Sequence, residues 1–335
     1  MQRILEHFAP YAANVLLLWL ALFFYFTNNY YVTFLRPETK TIIFYLIVAY
    51  TAGGFLYYLL TIGERQPVSK GLLIIRGMVR TMRYGISLFR NTAQAPTHEE
   101  RTAILFGIVK VFFLPLMLNF LFFNIGDLVR NFAILREMEF VSTHTFNTTI
   151  FPLLIALIFT VDTLYFAFGY TFEATFLDNA VRSVEPTILG WAVTLISYPP
   201  FNGFLTVYLL WYANDFLTFP SELATTALRV VILSFLFIYV WASVALGAKC
   251  SNLTNRGVVA RGPYAFVRHP AYSAKNIAWW ITVIPLFNPV AYASMFAWST
   301  IYYLRAVTEE RHLMRDPEYQ SYTQKVRWKF FPGIW

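Results

Sequence analysis

Residues 223–247 read LATTALRVVILSFLFIYVWASVALG, and the fold class turns on them. A hydrocarbon core of about 30 Å needs roughly 20 apolar residues of helix, and this run supplies them with one charged side chain, Arg229. The apolar residues are continuous, without the period-two alternation of a barrel strand, so a helical span is expected. Comparable runs lie near 11–34, 41–62, 103–125, 149–169 and 188–213. Two shorter ones follow near 274–287 and 290–305, separated by Phe287-Asn288-Pro289. They read either as thin tilted spans or as one helical hairpin turned at that tripeptide. Pro199-Pro200 and Gly203 predict a broken helix within 188–213. The expectation is an all-α, polytopic transmembrane bundle of about eight membrane segments. The first run, with Arg3 before it and no small-residue cleavage site after it, reads as a retained helix.

Composition supports this class. Of the 335 residues, 58% are hydrophobic and 13% charged, against about 25% charged in an ordinary soluble domain. The mean hydropathy is +0.52, too apolar to cover a water-soluble globule. Cys250 is the one cysteine, which excludes a disulfide scaffold and a cysteine-based zinc site; the five His are scattered, and no metal is expected.

With eight crossings, Lys and Arg collect on one side: 20 against four, of 26. The positive-inside rule then places both termini in the cytoplasm, and a bacterial inner membrane is the expected location. The net charge of +8 follows from topology and anionic lipid; no polar basic domain suggests nucleic acid. In the linker 63–102, Leu72, Ile75, Val79, Met82, Ile86 and Phe89 recur at helical spacing, flanked by Arg76, Arg80, Arg83 and Arg90. This predicts an amphipathic helix in the membrane interface, an anchor or a guide for an amphiphilic substrate.

Polar residues crowd two stretches, SNLTNRGVVARGPYAFVRHPAYSAKN at 251–276 and TEERHLMRDPEYQSYTQKVRWKFFPGIW at 308–335. If the intervening hairpin returns to one side, the two face each other across its base. Arg261, Arg268 and His269 would offer donors, and Tyr264 and Tyr272 stacking faces with a hydroxyl each. Gly262-Pro263 and His269-Pro270 would set turns. Glu309 and Glu310 suit a cation or a ribose diol, and His312 shares a helical face with Glu309. Each has a plainer alternative. Arg261 and Arg268 could snorkel to headgroups, and Glu309 could pair with Arg305. Asp162, in mid-span, could be a site residue or the partner of Lys110. Arg229 is expected to snorkel. His144, Asn147, Thr148 and Thr149 read as a solvated loop with a weak glycosylation pattern.

RGPYAFVRHPAY at 261–272, followed by EERHLMRDPEYQSY at 309–322, resembles the isoprenylcysteine carboxyl methyltransferase and phospholipid methyltransferase family of integral membrane enzymes. The resemblance covers about 247–335, giving a two-part organisation: a transmembrane region 1–246 and a C-terminal core 247–335. Ala274 and Pro317 stand where the family often has glycine. The resemblance implies S-adenosylmethionine bound on the cytoplasmic side by Arg261, Gly262, Tyr264, Arg268, His269, Pro270, Tyr272, Glu309, Glu310, Tyr319 and Tyr322. Arg268, Glu310, His312 and Arg327 would be the catalytic candidates. The implied activity is methylation of a lipid, isoprenoid or lipid-linked acceptor entering from the bilayer. The competing readings are an NADPH-dependent reductase of the sterol reductase type, with Arg261 and Arg268 on a 2′-phosphate, and a transporter or scaffold using Asp162 and the broken helix.

Overall fold

A computed structural model describes residues 2–62, 69–87, 94–138, 140 and 142–334. The chain divides into two compact units, Met1–Phe122 and Phe123–Trp335. Among the described residues five helices are long and apolar enough to cross a membrane: Leu5–Thr27, Pro37–Leu60, His98–Arg136, Thr143–Thr171 and Glu222–Lys249. The all-helical class holds, and among the described residues strand is confined to one two-residue pair, Ser183–Val184 against Thr254–Asn255.

In the first unit the leading apolar run bends. Its helix, Gln2–Thr27, stops where Asn28 accepts the Tyr30 amide, and a short helix Asn29–Phe34 follows. The next corner is held by the buried Asn119, whose Oδ1 accepts from the Arg36 amide at 2.7 Å and whose Nδ2 donates to the Phe34 carbonyl at 3.1 Å. The expected amphipathic helix is Lys70–Ser87. Asn14 Oδ1 seats its start by accepting from the Gly71 amide at 3.0 Å. Gly77 lies against Glu100 and Ile104, where an added Cβ would come within 2.9 Å of the Ile104 terminal methyl and 3.0 Å of Glu100 Cβ. Val79, Met82 and Ile86 of the apolar stripe face outward, as an interfacial helix requires, while Arg80 pairs with Glu100 at 3.1 Å. Phe89 and Arg90 lie outside the described residues.

In the second unit helices Phe151–Thr171, Glu222–Leu246 and Pro270–Val283 share a core of Phe151, Ile155, Ile158, Ile232, Leu236, Ala274 and Ala278. The two alanines let the backbones approach closely. Run 188–213 is broken as expected, into Ile188–Leu195 and Phe201–Thr206 on either side of a cis Pro199-Pro200 bond. The two shorter apolar runs form a hairpin. Phe287 takes a left-handed conformation (φ 48°) and Asn288 caps Pro289–Leu313 by accepting the Val290 amide at 2.9 Å.

Two expectations fail at the other end of this unit. Arg229 does not snorkel. It is buried 4.7 Å over the Phe151 ring and donates to the carbonyls of Asn147 and Phe216. The cause is a π-helical turn, Phe146–Ile150, whose wider ladder alters the ordinary backbone pairing where Arg229 docks. Asn147 is likewise no solvated glycosylation acceptor. It is buried and donates to Thr226 Oγ1 at 2.9 Å, although His144 is exposed and pairs with Glu222 at 2.9 Å.

Candidate functional site

The hairpin brings the two polar stretches together at its base. Arg268 Nε donates to Glu310 Oε1 at 2.6 Å, and the Tyr272 hydroxyl donates to Glu309 Oε2 at 2.9 Å. A pocket opens beside these contacts, and helical periodicity explains its walls. Pro289–Leu313 presents Tyr302, Arg305, Glu309 and His312 on one face. Pro270–Val283 presents Ala271, Tyr272 and Lys275, and Glu222–Leu246 presents Tyr239, Ser243 and Leu246. Glu185, Tyr198 and Asn252 close the remaining side.

Arg305 is the electrostatic centre of the pocket. It is 5% exposed and faces the rings of Tyr302, Tyr272 and Tyr198 at 5.1, 5.4 and 5.6 Å. Its Nη2 donates to Asn252 Oδ1 at 3.3 Å, and its Nε has no hydrogen-bond partner among the described residues. The expected alternative, an ion pair with Glu309, does not form: the Glu309 side chain takes the Tyr272 hydroxyl instead. Burial, reinforced by the Glu309 carboxylate, pushes the Tyr272 hydroxyl well above its ordinary value, so it remains a donor. Glu185, which the sequence did not single out, is 2% exposed. Its Oε1 accepts from the Thr187 amide at 2.9 Å and Arg311 Nη2 at 3.3 Å, while Oε2 has no hydrogen-bond partner among the described residues. His312 Nε2 stands 2.8 Å from Ser183 Oγ. Burial lowers the His312 imidazole, against the opposing pull of Glu185, so it is uncharged at neutral pH.

The structure sorts the sequence candidates into two groups. Tyr264, Arg268, His269, Tyr272, Glu309 and His312 line the pocket. The others build its frame. Arg261 Nε donates to the Ala245 carbonyl at 3.2 Å, and so does not snorkel freely. Gly262 (φ +58°) makes a turn packed on Trp241 and Ala245, and Pro270 starts the hairpin's first helix. Tyr319 and Tyr322 are buried under the tail, where the Tyr322 hydroxyl donates to the Tyr264 carbonyl at 2.7 Å. Glu310 turns toward the tail, meeting Lys329 at 2.8 Å and His269 at 3.3 Å as well as Arg268. Arg327 has an exposed side chain, and its carbonyl accepts from Arg268 at 3.0 Å.

Asp162 also finds a different partner from the one expected. Its carboxylate accepts from the hydroxyls of Tyr239 and Ser243. Lys275 is a cation that acts on it. Tyr198, Lys275 and Tyr302 are pocket residues that the sequence reading does not single out. For Tyr302 a signal existed: with Arg305, Glu309 and His312 it repeats polar groups at helical spacing in one apolar helix. Glu185 and Tyr198 carried none, because strand pairing and the helix break deliver them.

Residues 219–315 match the model of the Isoprenylcysteine carboxyl methyltransferase (ICMT) family. The match takes in helix 222–246, the hairpin and its charged base, and stops short of Glu185, Tyr198 and the tail helix. Comparison with curated proteins gives no match. The five long apolar helices among the described residues, with the match of 219–315 to this family, mark the chain as an integral membrane protein.

Proposed function

We propose that the protein is an S-adenosylmethionine-dependent methyltransferase acting on a lipid, isoprenoid or lipid-linked acceptor, with the cofactor held on the cytoplasmic side of a bacterial inner membrane. The observation that carries this reading is Arg305: a buried guanidinium without a carboxylate, ringed by tyrosines, within the segment matched by the methyltransferase model. A charge so placed calls for an anionic ligand group.

The donor set fits the cofactor. Arg305 suits its carboxylate, Glu309 suits its ammonium or ribose hydroxyls, and the faces of Tyr198, Tyr264 and Tyr272 suit an adenine or a sulfonium. When bound, S-adenosylmethionine would supply an electrophilic methyl group, its sulfonium S–C bond breaking as the bond to the acceptor forms and the neutral thioether leaving as S-adenosylhomocysteine. The protein's own part is alignment and exclusion of water, both served by a wall of aromatic rings. A carboxylate or thiolate acceptor needs no base. For an amine or hydroxyl, the uncharged His312 is the group able to take the proton.

Calorimetric titration of the purified protein tests this. S-adenosylmethionine is expected to bind, and Glu309→Ala to weaken it about tenfold or more, the worth of a hydrogen bond to a charged group. Unchanged affinity in that variant would remove Glu309 from the site.

A further inference from the structure

One charged group in the pocket has no place in the cofactor assignment. Lys275 lies three residues beyond Tyr272, about 4.5 Å nearer the hairpin tip at 1.5 Å per helical residue. Its ammonium stands 4.8 Å from the Tyr239 ring, 5.4 Å from Phe159 and 5.6 Å from Trp279. Among the described residues it makes no hydrogen bond or ion pair. The carboxylates of Asp162 and Asp215 act on it only from longer range, and Asp162 spends both oxygens on Tyr239 and Ser243. Neither side chain takes an N–H of the ammonium, whose three donors meet no acceptor among the described residues. The ring faces stabilise the positive charge, but they leave its N–H donors open to an oxygen acceptor from the pocket.

We infer that Lys275 anchors the methyl acceptor by binding an anionic oxygen group, a carboxylate or a phosphate, on an amphiphile whose chain lies toward the hairpin tip. The inference rests on the methyltransferase reading for calling this molecule the acceptor, but the binding site stands on its own contacts. The three rings form an apolar collar that suits an alkyl or isoprenyl stem next to the charged group. Lys275 is thereby a specificity-determining residue: it separates anionic amphiphiles from neutral ones of equal length.

The experiment uses the full chain in nonionic detergent micelles, titrated with oleate, dioleoylphosphatidate and oleyl alcohol. At least one anionic amphiphile is expected to bind tenfold or more tighter than the alcohol, and the better of the two tells whether the group is a carboxylate or a phosphate. Lys275→Met should abolish that preference, and Lys275→Arg should keep most of it, which separates lost charge from lost folding. Equal binding of all three amphiphiles by the natural chain, or an undiminished preference in Lys275→Met, would overturn the assignment. S-adenosylmethionine is titrated separately on the same samples. Absence of cofactor binding by the natural chain would defeat the methyltransferase reading while leaving the amphiphile result to decide for Lys275.

Discussion

Arg268→Met is expected to free the C-terminal segment from the hairpin base and abolish cofactor binding. Arg268 is 9% exposed at its side chain and holds four partners at once. Its Nε takes Glu310 at 2.6 Å, its Nη1 takes the carbonyls of Val326 and Arg327 at 2.9 and 3.0 Å, and its amide takes the Trp328 carbonyl at 2.9 Å. Methionine keeps the amide contact and the stem but strands two carbonyls and leaves Glu310 with only Lys329 and His269. Removing one member of a buried ion pair costs about 3–5 kcal/mol. The readouts are protease cleavage within 326–334, a change in Trp328 fluorescence, and a cofactor affinity reduced at least 100-fold. Intact protection of the tail would show that Glu310 and Lys329 suffice without Arg268.

The same clamp has an acid limb. Burial raises the Glu310 carboxyl, but hydrogen bonds from His269, Lys329 and Arg268 outweigh it and hold it down to about 2, from an ordinary 4.5. A depressed carboxyl contributes stability that is complete above its unfolded value and fades as pH falls through its folded one. Protection of the tail should therefore persist below pH 4.5 and fail only as pH approaches 2. In Glu310→Gln the clamp should be weaker at neutral pH, and this acid step should vanish.

Gly169→Ala should be the most damaging small substitution in the pocket's supporting wall. An added methyl there overlaps the Cys250 carbonyl oxygen and comes within 3.2 Å of the Ala248 carbonyl, so backbone must move. The displaced segment carries Asn252, whose amide donates to the Tyr170 hydroxyl at 2.6 Å and whose Oδ1 accepts from Arg305. Overpacking of this kind costs about 1–3 kcal/mol or more, and it propagates to the guanidinium. Thermal unfolding should fall by several degrees and cofactor affinity should drop with it. Gly203→Ala, where nothing lies within 4 Å, is the control and should leave both unchanged. Equal behaviour of the two variants would contradict the packing argument.

Much of this architecture is legible from local chemistry. Asn288 before Pro289 marks a helix start after a tight turn, and Pro199-Pro200 marks a break; both are backbone effects of single residues. The expected return of the hairpin brings the two polar stretches together, where Arg268 meets Glu310 and Tyr272 meets Glu309. Hydropathy misleads where charge interrupts a helix without ending it. The apolar run stops at Arg305, yet the helix continues to Leu313, and those extra turns place Glu309 and His312. Partners separated along the chain are not legible at all. Asp162 with Tyr239 and Ser243, Arg229 with the π-turn carbonyl, and Glu185 with Arg311 depend on how helices pack.

The most direct measurement is a structure of the protein prepared with S-adenosylhomocysteine, the demethylated form of the proposed cofactor. The account predicts density among Tyr272, Glu309 and Arg305, with the ligand carboxylate within hydrogen-bonding distance of the Arg305 guanidinium. Density for the nucleoside at any other place on the chain, with the Arg305 pocket filled by water alone, would contradict it.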